Sequence, residues 1–181
     1  MIEFSNDIIA LIAEGGTERA ILQLLLDHQA LKFTQDDLLN GEIIRTRSGE
    51  KFTKNHLNKS FRKKVHVVRI LDSPKEKFKY SKVYDKTISK VNEVLTRPEI
   101  EILHIIYHQD YSSYSNKHKQ TKPSIYVKQN YHDLTNPKGY QDNYDFWELR
   151  FNELIESLKQ YRQTRTGNEL CIADLLNDDY Q

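Results

Sequence analysis

The sequence predicts an α/β fold, a mostly parallel central sheet flanked by helices, and three observations carry that prediction. First, residues 8–13, IIALIA, form a continuous apolar run too short for a buried helix and closed by Gly15-Gly16, which suits the centre of a parallel sheet. Second, residues 17–31 follow with Ala20, Ile21, Leu24, Leu25 and Leu31 at three-to-four spacing, the stripe of a helix that packs on one face. Third, a second run, VHVVRILD at 65–72, is rich in β-branched residues and ends, like the first, on an acid.

The remaining elements follow in chain order. Residues 41–49 read as a short or edge strand and 53–62 as a short helix. Residues 83–95 place Val83, Ile88, Val91 and Leu95 at roughly helical spacing and predict a surface helix. In TRPEIEILHIIYH, Thr96 stands three residues before Glu99 with Pro98 between, the pattern of a capping box, which favours a helix although the isoleucines would also suit a strand. Asp72-Ser73-Pro74 ends the second strand because proline cannot continue it simply. Residues 144–162 carry Trp147, Phe151, Leu154, Ile155, Leu158 and Tyr161 on one stripe and predict one long helix; Gly167-Asn168 then marks a turn before a short closing element.

A chain of 181 residues is long enough for one domain with a sizeable core. The expected organisation is a core over 1–110, a basic Tyr/Lys-rich loop region over 111–143, and a C-terminal helix with its closing element over 144–181. Net charge is +1, which gives no overall steering toward nucleic acid, but residues 111–140 hold five lysines against one aspartate, and the tail beyond is acidic. Cys171 is the single cysteine, so an intrachain disulfide is excluded and a reducing, cytoplasmic setting is expected. No apolar run approaches the length of a membrane span, and the N-terminus, with Glu3 and Asp7, lacks the basic start of a signal peptide.

In an open α/β sheet, ligands bind outside the carboxyl ends of the strands, so Glu14 and Asp72 outrank acids elsewhere as functional candidates. Mg²⁺ or Mn²⁺ is held by one or two carboxylates together with water and substrate phosphates, and these two acids meet that minimum. Gly15, Gly16 and Thr17 form a loop that lets a phosphate or another backbone come close, at a helix N-terminus that favours anions. Each acid also has a plainer explanation: Glu14 as an acid favoured near a helix start, Asp72 as a turn residue, Glu99 as half of the capping box. The pair His104 and His108 lacks the Glu-x-x-His context of a zinc helix.

The stretch IALIAEGGTERAILQLL, with Glu14, Gly15, Thr17 and Glu18, resembles the opening of Toprim-like domains, as found in small standalone Toprim-related proteins and in the nuclease domains of overcoming-lysogenization-defect proteins. VVRILD, ending at Asp72, is similar to that family's second acidic strand end, and PEIEIL supplies a third acidic position at Glu99 or Glu101. The resemblance covers about the first 110 residues. It implies a Toprim- or Rossmann-like sheet, Glu14 in acid–base chemistry or metal binding, Asp72 and Glu101 with it around Mg²⁺ or Mn²⁺, and cleavage of a nucleic-acid phosphodiester in a prokaryotic or phage defence or mobile-element setting. Most such domains carry Asp-x-Asp at the second strand end, where this chain has Asp72-Ser73-Pro74. That difference keeps a second reading open, a noncatalytic subunit that acts with a protein partner.

YSSYSNKHKQTKPSIYVKQNYH interleaves aromatics with lysines, a combination that stacks bases and neutralises phosphates. Lys117, Lys119 and Lys122 with Tyr111, Tyr114 and Tyr126 are the candidate nucleic-acid contacts. Tyrosine suits protein interfaces as well, so both kinds of partner are expected from this stretch.

Overall fold

The computed structural model describes residues 4, 6–73, 77–165 and 167–180. Glu3 and Pro74, used above, lie outside these residues. Three strands, β1 (Ile8–Ile12), β2 (Val65–Leu71) and β3 (Ile88–Leu95), form one parallel sheet in the order β1-β2-β3. The register runs from Ile8 beside Val65 to Ile12 beside Arg69, and from His66 beside Lys90 to Leu71 beside Leu95. The fold is therefore α/β with an open parallel sheet, consistent with the Toprim- or Rossmann-like class expected.

Alternation along each strand divides the core in two. Ile9, Leu11, Val68, Ile70 and Val94 face the larger cluster, made with α1 (Gly16–Asp27) and the C-terminal helices. Ala10, Ile12, Val65 and Val67 face a smaller cluster closed by Phe52 of α2 (Gly49–His56), with Phe78 and Tyr80 packed against it. Both faces being covered, the strands read as near-continuous apolar runs rather than alternating ones.

Past β3 the chain is mostly helical: α3 (Ile102–Tyr107), α4 (Tyr111–Ser113) running into a π-turn over Tyr114–His118, α5 (Pro123–Asn130), α6 (Tyr140–Glu148) and α7 (Phe151–Thr164). α1 packs against α6 and α3 against α7, so the N-terminal and C-terminal stretches share one core. Among the described residues no helix is long and apolar enough to cross a membrane.

Four expectations are corrected. Residues 88–95 are a strand, not part of a surface helix: the polar residues that broke the alternation are paired across the register, where the His66 ring bonds Asn92 at 2.7 Å and Arg69 Nη1 donates to Glu93 at 2.8 Å. The long C-terminal helix is two, α6 and α7, because Arg150 leaves helical geometry (φ −135°, ψ 39°) and turns Leu149 out to solvent. Residues 111–143 are not a loop region but α4, the π-turn, α5 and an ordered connection to α6. The expected strand over 41–49 is reduced to a single parallel bridge, Ile44 to Ile12, while Leu38, just before this stretch, bridges Ile9.

Candidate functional site

β1 and β2 deliver their carboxyl ends to one cleft of about 200 Å³, lined by Glu14, Gly15, Gly16, Thr17 and Glu18 from the junction of β1 with α1 and by Asp72 just past the end of β2. Glu99 and Glu101, between β3 and α3, complete an acidic wall, Arg47 and Lys138 supply cations around it, and Arg69 lines it while buried and paired with Glu93. The residues predicted for catalysis, metal binding and phosphate approach thus meet in one place, and the sequence reading missed four partners there: Glu18 as a lining acid, and Arg47, Arg69 and Lys138.

The acids are not alike. Glu101 is buried, with 4% of its surface exposed, and accepts a hydrogen bond from Thr17 Oγ1 at 2.9 Å. Burial, reinforced by the charges of Glu18 and Glu99, pushes its carboxyl up to about 7. Glu18 is also raised, first by burial and then by Asp72 and Glu99 across the cleft. Glu99 goes the other way: partial burial opposes its charge, but hydrogen bonds from Lys138 Nζ at 2.9 Å and from the Ser124 hydroxyl and backbone N–H outweigh it. Its bonds to Ser124 and Lys138, rather than a capping box with Thr96, account for its place; the Thr96 hydroxyl donates to Leu71 O. Glu14 stands at the rim, ion-paired with Arg47.

Gly16 explains the close packing of this corner. A Cβ there would lie 2.5 Å from Lys138 O and 3.0 Å from Tyr140 N, so the glycine admits a neighbouring backbone turn, Pro137–Gly139, against the start of α1. That turn carries Lys138 to the cleft from far along the chain. Its ammonium is strengthened by the bond to Glu99, and Glu101 and Glu18 add to the effect.

The predicted nucleic-acid residues lie elsewhere than the cleft lining. Lys117, Lys119 and Lys122 are exposed. Tyr114 and Tyr126 are buried in the core, their hydroxyls donating to Thr121 O and to Asp110 Oδ2, each at 2.6 Å, and Tyr111 packs half-buried beside them. Burial takes Tyr114 and Tyr126 off the surface on which stacking was expected. Asp110 is likewise occupied, accepting from Tyr126 and Tyr131.

The cleft's donors are all oxygen: carboxylates and the Thr17 hydroxyl. That chemistry suits a hard divalent cation held by two carboxylates, water and a substrate phosphate. Among the described residues, no three His, Cys, Asp or Glu side chains are gathered closely enough to hold a metal ion by themselves. Comparison with known protein families, curated proteins and solved structures finds no match to this chain.

Proposed function

We propose that the chain is a Toprim-like, Mg²⁺- or Mn²⁺-dependent nuclease that cleaves nucleic-acid phosphodiesters, in a prokaryotic or phage defence or mobile-element setting. The observation that carries this reading is the meeting of Glu14, Glu18, Asp72 and Glu101 with Arg47, Arg69 and Lys138 around one cleft at the strand ends. Glu14 and Asp72, at the ends of the two strands, would hold the cation, Arg47 leaving Glu14 for the substrate, with Glu18 facing Asp72 beside them. When bound, the divalent ion supplies charge neutralisation at the phosphoryl oxygens and a more acidic water. Arg47 and Lys138 orient and neutralise the phosphate, and exposed Lys117, Lys119 and Lys122 extend the grip along a strand. Purified protein with Mn²⁺ is expected to cut at least one of single-stranded DNA, double-stranded DNA and RNA, and Glu14→Ala is expected to abolish both cutting and calorimetric Mn²⁺ binding. Intact substrates throughout, with no Mn²⁺ uptake, would overturn the proposal.

A noncatalytic subunit that works beside a protein partner is the second reading. It is favoured by the Arg47–Glu14 pair, which already neutralises a candidate ligand, and by apolar side chains left on the surface, Val83 at 74% exposure and Leu149 at 82%. Unchanged substrates together with a defined hetero-complex would support it.

A further inference from the structure

Asn143, on α6, has no exposed surface and lies outside the segment that resembles the Toprim-like opening. Its amide nitrogen donates to Gly139 O at 2.7 Å and to Pro137 O at 2.9 Å, and approaches Thr17 Oγ1 at 3.4 Å. Carbonyls only accept, so the orientation of the amide is settled, and its oxygen faces His104 Nε2 at 2.8 Å. His104 is itself buried, and burial lowers its basicity to about 4, so the ring is neutral with its proton on Nε2, donating to the amide.

One amide therefore holds both carbonyls that flank Lys138. The single Thr17 hydroxyl proton is shared between Pro137 O and Glu101 Oε1, each 2.9 Å from Oγ1. Helix α3 contributes His104, α6 contributes Asn143, and α1 contributes Thr17 and the glycine that admits the turn. The lysine's backbone is clamped on three sides while its side chain, 59% exposed, reaches across to Glu99.

We propose that Asn143, held in orientation by His104, is the positioning residue of the cleft: it fixes the Pro137–Gly139 turn, and through it Lys138 and Thr17, against the start of α1. The assignment of the cleft to phosphodiesters rests on the reading above; the positioning itself does not, and two measurements separate them. The first needs no ligand: hydrogen exchange at the Gly139 amide, which donates to Asn136 O. The second is the affinity, in MnCl₂, for a short fluorescein-labelled single-stranded DNA with phosphorothioate linkages that resist cutting. Both are made well below the melting temperature of each variant.

Asn143→Ala and His104→Leu are expected to speed Gly139 exchange about tenfold or more relative to the core strands and to weaken DNA binding by about the same factor. His104→Gln, which keeps an N–H to offer the amide, is expected to restore most of both. A role in stability alone would lower the melting temperature and leave both readouts unchanged in the folded protein, and that result would overturn the inference. Should Asn143→Ala fail to fold, the pair at position 104 decides. Wild-type protein that binds no DNA in MnCl₂ would remove the phosphodiester reading, while the exchange data would still decide the positioning role.

Discussion

Two stretches of one segment met opposite fates. Residues 111–131, rich in Tyr and Lys, look like a binding surface in sequence and turn out to be packed structure, with Tyr114 and Tyr126 buried and Asp110 accepting from two tyrosines. Residues 136–143, which carry one lysine in an ordinary Asn-Pro-Lys-Gly turn, bring Lys138 to the cleft and Asn143 beneath the turn that carries it. Composition favours the first stretch; position favours the second. A tyrosine with a carboxylate within reach can satisfy its hydroxyl and enter the core, whereas a lysine on a clamped turn keeps its charge at the surface.

The largest expected effect comes from breaking the clamp. Gly16→Ala would push a Cβ into the backbone at Lys138 and Tyr140, and a loss of about 2–3 kcal/mol in urea unfolding is expected. Asn143→Ala, which leaves Pro137 and Gly139 carbonyls buried with fewer donors, should cost about 1–3 kcal/mol in the same measurement.

Acid–base behaviour sharpens the comparison next. Glu101 is raised from 4.5 to about 7, so the folded state binds the extra proton between those values and stability falls as pH rises through that window. His104 is lowered from 6.5 to about 4, so the unfolded state binds the extra proton and stability rises with pH between about 4 and 6.5. The two slopes oppose each other. Glu101→Gln should unmask the rise below pH 6.5 in thermal melts, and His104→Gln should unmask the fall toward pH 7, each changing stability by about 2–3 kcal/mol across its window. Melting curves with unchanged slopes in both variants would refute the assignment of these two groups.

The smallest effects belong to the Tyr/Lys stretch. Tyr126→Phe should lose about 1 kcal/mol through the Asp110 bond and leave nucleic-acid affinity as it was. Replacing Lys117, Lys119 and Lys122 together by Ala should change stability by less than about 0.5 kcal/mol and reduce the salt dependence of DNA binding. A large loss of affinity in Tyr126→Phe would reverse the ranking of the two stretches.

Much of the fold was legible where burial is uniform along an element. β1, α1 and β2 announce themselves as apolar runs and a clean helical stripe because each is covered on the expected faces. β3 was not legible, since Asn92 and Glu93 answer His66 and Arg69 on neighbouring β2, and such pairing is invisible along a single strand. The cleft divides similarly. Glu14 and Asp72 were marked by their place at strand ends, and Glu101 came with the resemblance. Glu99 was explained away by a local capping pattern, while its actual partners, Ser124 and Lys138, stand 25 and 39 residues later. Asn143 left one faint signal, an amide on the same helical face as Phe146 and Trp147, where an apolar residue would be the default.

The margins of the sheet have a consequence for assembly. Leu38 and Ile44 bridge to the outer side of β1, and Leu170 lies beside Val94 with Leu95 N donating to Leu170 O. Both rims thus carry main-chain neighbours from the same molecule, the arrangement by which proteins discourage strand addition from outside. Along β1 and at the carboxyl end of β3 a docking protein therefore meets covered edge, and crowding of many copies would not readily template an intermolecular ribbon through those stretches.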